Sequence, residues 1–520
     1  MAEPVLMKQV SGVFIQSLQG DGQALLAQRV RVYRTVLDGV RSGTLRPGTR
    51  LPSARRMAAD CAVSRGAVDE AFEQLQCEGL VERRVGDGSY VANPLPVGTL
   101  AAAPAAPVER PVSASAQRVI ERFAPHLGQW SRLEVANELF SLPALHPRNV
   151  PTQDFPLDIW RRLMHRAWSE EYRDHLNYGP SAGLPQLREA IQRHLALTRG
   201  VQCEARQILI LNSPMQAVEL IARVLIEPGD KVWLEDPGHA SLPVLFEVLR
   251  ARPIGVPIDE QGLDVARGRA LAEDARAVYL HALGQHPTGV RTTAERGAEL
   301  LRWAAEQGAW IIEGNYNTEI IHDGVPPPAL HTQDGGERVL LVGTFEGVLF
   351  PSLRLSYLVV PLHLADTFTA MRGLLGEHAH VATQLALTAF IDEGHMSAHL
   401  RELRQRCRQR RTALQLAIRR HLPAWVRLGP VAEGMHAALH FPPSVPDVEV
   451  FRRIRKRGVG AVPLSSICWH ATGINGLALG YGGADEATID SAIRVIGDVL
   501  RALADSVNCT NAYSGTGENR

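Results

Sequence analysis

Lysine is almost absent from this chain. Of 520 residues only Lys8, Lys231 and Lys456 carry a side-chain amine, and the other 52 of the 55 basic residues are arginine. Chemistry that needs a lysine nucleophile therefore has three positions to draw on. An excess of charge is also missing: basic and acidic residues both total 55, so any nucleic-acid signal has to be local. No run of 18 or more apolar residues occurs, so no membrane-spanning helix is expected. Met1 to Gly20 lacks the basic start, apolar core and cleavage site of a secretory signal. The six cysteines (Cys61, Cys77, Cys203, Cys407, Cys468 and Cys509) are scattered without a CxxC or Cys/His cluster. These absences predict a reduced, cytoplasmic protein with no membrane contact and no structural metal.

What is present divides into regions. The length calls for more than one domain, since single cores stop growing at roughly 250–300 residues. Residues 20–93 are compact and well punctuated. Residues 94–150 begin with a stretch rich in Pro, Ala and Val and read as a linker. Residues 151–503 alternate short apolar runs with longer amphipathic segments, the pattern of βαβ units and a mostly parallel sheet. The runs are 207–212, 231–235, 277–283, 309–314, 338–345 and 355–360. A long arginine-rich helix is expected from about His399; its charge reads as a solvated or interdomain face rather than a nucleic-acid surface. A final helix, Thr488 to Leu503, precedes a polar tail, 504–520, read as disordered.

The first region has sharp local signals. Residues 24–42 form an amphipathic helix closed by Gly43. Ser53 is placed to cap a second helix, 54–62, and Ser64 a third, 65–79. The sequence LVERRVGDGSYVA then reads as two strands joined at Gly86-Asp87-Gly88. Helix, turn, helix and β-hairpin wing is the order of a winged helix-turn-helix, whose third helix presents its N-terminal residues to the major groove. Here those are Ser64, Arg65, Gly66 and Ala67, with Arg55 and Arg56 on the preceding helix and Arg83 and Arg84 at the wing. The guanidinium fork suits phosphate and guanine because it donates two hydrogen bonds together.

The run from Arg41 to Ala92 resembles the DNA-binding domain of the GntR regulator family. The resemblance implies that Arg55, Arg65 and the wing glycines Gly86 and Gly88 contact operator DNA. Asp69 stands where such domains often carry a basic or neutral residue, which puts contact there in doubt.

Residues 150–503 resemble the fold-type I aminotransferases, in the arrangement found in MocR-type regulators. The resemblance rests on FPLDIWRRL (155–163), YGPSAGLPQLREAI (178–191), LNSPMQAVELIARVLIEPGDKVWLEDPGH (211–239), GQHPTGV (284–290), IIEGNYNTEI (311–320) and GTFEGVLFPSLRLSYLVVP (343–361). It implies an α/β multidomain chain: an α+β winged helix-turn-helix, then a fold-type I α/β domain with a smaller α+β subdomain. The family cofactor is pyridoxal 5′-phosphate, which needs a lysine, an acid at the pyridine nitrogen, a phosphate cradle and usually a stacked aromatic ring.

Each requirement is altered in the same direction. Gly347 occupies the lysine position, and Gly314-Asn315 replaces the acidic pair ahead of Tyr316. The cradle reads Asn212-Ser213-Pro214, in which proline removes one N–H donor. Glu346 places a carboxylate near the phosphate position, His239 replaces the stacking ring, and residues 458–493 hold no arginine to clamp a substrate carboxylate. Arg354 matches the family's phosphate-binding arginine; pairing with Glu346 would fill that anion site from within, and capping a structural network is the alternative. Any remaining cofactor contact from Tyr316, Thr344, His239 and Arg354 would be non-covalent. The expectation is a non-enzymatic, homodimeric regulator of a double-stranded DNA operator. It would bind no cofactor covalently and could take a different small-molecule effector. The alternative is a pyridoxal phosphate-dependent aminotransferase-type regulator that binds pyridoxal phosphate or an amino compound.

Overall fold

Valines spaced four apart give the first helix one apolar stripe, and this stripe seeds the N-terminal core. In the computed structural model, which describes residues 27–96, 113, 114, 117, 142–175, 177–324, 327–376, 378–471 and 473–514, Val32, Val36 and Val40 are buried on helix α1 (Gln28–Arg41). They pack with Met57 of α2 (Ala54–Cys61) and with Val68, Phe72 and Leu75 of α3 (Arg65–Cys77). Gly43 takes the left-handed φ of +75° that ends α1. Ser53 Oγ accepts from the Arg56 N–H (3.3 Å) and Ser64 Oγ from the Ala67 N–H (3.2 Å), so both expected caps form. The antiparallel wing pairs β1 (Val81–Arg84) with β2 (Gly88–Val91). Residues 1–26 and residues 97–112, 115, 116 and 118–141 of the expected linker lie outside the described residues.

The large domain is built on strands β3 (Ile208–Leu211), β4 (Lys231–Asp236), β5 (Arg252–Asp259), β6 (Gly262–Leu263), β7 (Ala277–Leu280), β8 (Trp310–Asn315), β9 (Val339–Thr344) and β10 (Ser356–Val359). Their order in the sheet is β3-β10-β9-β8-β7-β4-β5-β6. The stretch from β9 to β5 is parallel, whereas β10 runs antiparallel to both neighbours. Every residue of β3, β7, β9 and β10 is buried, as expected for a sheet covered on both faces. On one side Trp233 stacks on Trp303 of the helix Ala294–Gln307, with ring centroids 3.8 Å apart. The carboxyl ends of β4, β7, β8 and β9 converge, the place where α/β sheets bind ligands.

A smaller antiparallel sheet orders β11 (Arg427–Leu428), β12 (His436–His440), β14 (Gly476–Gly480) and β13 (Val462–Pro463). It shares a core with the helices Asp447–Arg455 and Glu486–Ser514. Two sequence boundaries shift here. Residues 144–150, read as linker, belong to this domain: Ala144 bridges to Val459, and Leu145 is fully buried in the small-subdomain core. The final helix continues to Ser514, well beyond Leu503; only 515–520 of the expected tail lie outside the described residues. A single apolar residue such as Leu145 leaves no periodic signal, and a polar helix end has no apolar stripe to read.

The long helix spans His395–His421. Its arginines serve the domain itself. Arg404 Nε donates to Glu319 O (2.7 Å), Arg410 Nη1 to Asp154 Oδ2 (2.7 Å) and to Gly482 O (2.6 Å), and Arg411 pairs with Asp323. Asp236, at the end of β4, accepts the backbone N–H groups of Trp469 (2.8 Å), His470 (2.6 Å) and Ala471 (2.7 Å). Hydrogen bonds to a charged acceptor contribute about 1.5–3 kcal/mol net, so Asp236→Ala is expected to cost at least about that much stability. Urea unfolding of the variant against the parent measures it.

Candidate nucleic-acid interface and small-molecule pocket

The start of α3 is built for close approach. Ser64 and Ala67 are occupied in the cap, and the Ser64 N–H is held by Gln28 Oε1 (2.8 Å), so these two residues fix the helix end. A Cβ at Gly66 would meet nothing within 4 Å, leaving the backbone there open. The Arg65 side chain is 72% exposed. Arg55 and Arg56 are exposed on the first turn of α2; Arg56 pairs with Asp60 at 3.6 Å. At the wing tip Gly86 and Gly88 adopt φ of +78° and +121°, conformations that favour glycine.

Three features went unread in the sequence. Asp69 pairs with Arg65 (3.5 Å) and with Arg83 of β1 (3.6 Å), tying recognition helix to wing. Tyr90 lies under the Arg84 guanidinium (4.3 Å to the ring centroid) and donates to Asp87 Oδ2 (2.9 Å). Arg50 donates to Asp87 O (2.5 Å) and so braces the turn. The acid at position 69 was visible in sequence, but its two partners were not, because one comes from a different element.

In the large domain, Gly347, Gly314, Ser213 and Glu346 all fall at strand ends on one side of the sheet, and neighbouring side chains fill the space beside the two glycines. A Cβ at Gly347 would lie 1.9 Å from Asn317 Oδ1. A Cβ at Gly314 would lie 2.6 Å from His281 Cδ2 and 3.0 Å from the Tyr279 hydroxyl. His281 in turn sits 3.4 Å from Glu235 Oε2 and 3.3 Å from Tyr279. Asn315 is turned into the protein, donating to the Tyr357 hydroxyl (2.8 Å) and accepting from Thr318 (2.6 Å).

The helix Pro214–Leu225 caps itself. Ser213 Oγ accepts the Gln216 N–H (3.2 Å), and the Gln216 side chain takes the Asn212 N–H (2.7 Å). Arg354 Nη1 donates to Glu346 Oε1 at 3.3 Å, so the expected pair forms. Burial pushes the Glu346 carboxyl up, opposed by Arg354 and Arg148. Thr344 is buried: it accepts from Ser356 Oγ (3.0 Å) and from the Glu346 N–H (3.2 Å). Tyr316 stands beside Glu346, and burial followed by that carboxylate pushes its phenol up to about 12. His239 remains open to solvent at the rim, with Ser241 N–H facing its Nδ1 (3.4 Å). Sequence reasoning missed His281, Asn317, His286 and His436; of these, His286 and Asn317 lay inside recognised motifs.

Two of the three lysines are described, and neither is among the side chains that meet Gly347 or Gly314. Lys231 begins β4 at the opposite end of the strand and pairs with Asp274 (2.7 Å). Lys456 is exposed at the end of the helix Asp447–Arg455, and Lys8 lies outside the described residues. Among the described residues no group of three or more His, Cys, Asp or Glu side chains could hold a metal, and no helix is long and apolar enough to cross a membrane.

Comparison with known proteins agrees with both halves. The family of bacterial regulatory proteins termed gntR matches residues 28–91, and Aminotransferase class I and II matches residues 149–495. The chain is 30% identical to the probable rhizopine catabolism regulatory protein MocR of Rhizobium meliloti, over 94% of this chain and 96% of that one. It is also 30% identical to the pyridoxine biosynthesis transcriptional regulator PdxR of Corynebacterium glutamicum, over 89% and 93%. Among solved structures, kynurenine aminotransferase from Pyrococcus horikoshii aligns with a TM-score of 0.65 at 24% identity, covering 74% of this chain and 98% of that one, which establishes the fold alone. With a GntR helix-turn-helix, a fold-type I aminotransferase domain and regulators of the same build aligned along its length, the chain belongs to the MocR-type branch of the GntR family of DNA-binding transcription regulators.

Proposed function

We propose that the aminotransferase-like domain of this regulator is not a catalyst but a cytoplasmic dimerising and effector-sensing unit that forms no aldimine. One observation carries the reading: the place of the Schiff-base lysine is Gly347, and the Asn317 amide occupies the space a side chain there would need. The residues present do not fit pyridoxal phosphate. The cradle helix has spent its leading N–H groups on Ser213 and Gln216, His281 stands where the acid would be, and the arginine that would meet the phosphate already meets Glu346. Dimerisation suits the module, because paired recognition helices read two half-sites. An effector would act by changing the populations of arrangements available to the two DNA modules.

The test uses the purified full-length protein incubated with pyridoxal phosphate. No aldimine absorbance band and no pyridoxyl adduct after borohydride are expected. A borohydride-sensitive band with a lysine adduct by mass spectrometry would end this reading. Sedimentation measures the dimer, and a thermal-shift screen of amino acids, vitamers and amines tests for an effector, since a ligand that binds only the native state raises its stability.

A further inference from the structure

We infer that the basic end of the helix Asp447–Arg455 is a second nucleic-acid contact, which grips the phosphate backbone of duplex flanking the operator. The inference goes beyond the sensing role proposed above and does not depend on it. Arg452, Arg453, Arg455, Lys456 and Arg457 put five cations into six residues of a chain whose net charge is zero. All five are exposed, while Ile454 between them is buried in the small-subdomain core. A helix C-terminus carries roughly half a negative charge, which one such side chain would complement. Glu449 takes up part of the rest, pairing with Arg452 and with Arg453 (2.8 Å). Arg455 lies over the Phe451 ring, 6.0 Å from its centroid. Lys456 and Arg457 form no hydrogen bond or ion pair among the described residues.

The chemistry of the patch selects a polyanion with regularly spaced phosphates. Arg404, Arg406, Arg410 and Arg411 of the long helix are, by contrast, spent inside their own domain. Val450 and Ile454 are buried and Phe451 is half-buried beneath Arg455, so the basic end lacks the apolar face by which an interfacial helix enters a membrane. Four of the five cations are arginine, whose fork meets phosphate oxygens two at a time. Side chains three and four apart on a helix stand about 5–6 Å apart at Cβ. A DNA strand offers a phosphate about every 3.4 Å of axis, so neighbouring side chains can reach neighbouring phosphates. The partner is already at hand. This domain is tethered to a module that binds duplex, which raises the effective concentration of flanking DNA around it. Such contacts carry no sequence information; they release counterions and add affinity.

The experiment titrates the full-length protein onto two duplexes over a range of salt. One is the operator alone, selected from random duplexes, and the other carries about two further helical turns on each side, roughly 20 base pairs. For the parent, the longer duplex should bind at least about tenfold more tightly at low salt. Lys456→Gln with Arg457→Gln should lose most of that advantage. The steepness of log affinity against log salt should fall by about 1.8 for each engaged copy of the chain, about 0.9 per phosphate contact. Binding to the bare operator and thermal unfolding should match the parent's, because both side chains are exposed. Lys456→Glu with Arg457→Glu should bind the longer duplex more weakly still. Equal binding of the two duplexes by the parent, an unchanged salt dependence in the glutamine variant, or an equal loss on the bare operator each overturns the inference. So does binding to vesicles rich in anionic lipid with no preference for the longer duplex, which would make the patch a membrane surface.

Discussion

Arg65→Ala is expected to weaken operator binding by about ten- to a hundredfold, since a bidentate guanidinium contact to a base contributes about 1–3 kcal/mol of discrimination. The folded module should survive, because the Arg65 side chain is largely exposed and the cap beside it uses Ser64 and Ala67. Binding to the operator, once selected from random duplexes, is compared at fixed salt with thermal unfolding of the same variant. Asp69→Asn separates position from charge. It frees Arg65 and Arg83 from their shared carboxylate, so non-specific duplex should bind more tightly while the margin in favour of the operator narrows. An Arg65→Ala protein that binds operator like the parent would remove α3 from the recognition surface.

Gly347→Lys alone is expected to leave the protein without an aldimine. The new side chain must first displace Asn317, whose Oδ1 stands 1.9 Å from the added Cβ, and it would then face a pocket with no acid at position 314 and a carboxylate at 346. Restoring the acid is obstructed as well, because a Cβ at Gly314 runs into His281. A combined variant carrying Gly347→Lys, Gly314→Asp, His281→Ala and Glu346→Ser is the one expected to gain a borohydride-sensitive band. The single lysine variant gaining the band by itself would mean that the surrounding substitutions are incidental.

These two experiments separate what one-dimensional sequence carries from what it cannot. The caps at Ser53 and Ser64, the glycine ends, the strand runs and the altered residues at 314, 346 and 347 are local or motif-bound, so they were legible. The Arg354 pair with Glu346 was legible too, because both lie in one motif eight residues apart. His281 filling the space at Gly314, Asn317 at Gly347, and Asp69 joining α3 to the wing depend on where separate segments meet. Reversed β10 was equally hidden, since a strand's hydrophobic run does not encode its direction.

The scarcity of lysine has a last consequence for how this regulator is controlled. From Asn93 back to Gln28 the DNA-binding module contains no lysine at all, and its exposed cations are guanidiniums. Arginine keeps its charge at any physiological pH, and acetylation, which neutralises lysine, has no acceptor there. The electrostatic grip of the module is therefore a constant. Whatever switches this protein on its operator cannot work by acetylating the described residues of that module.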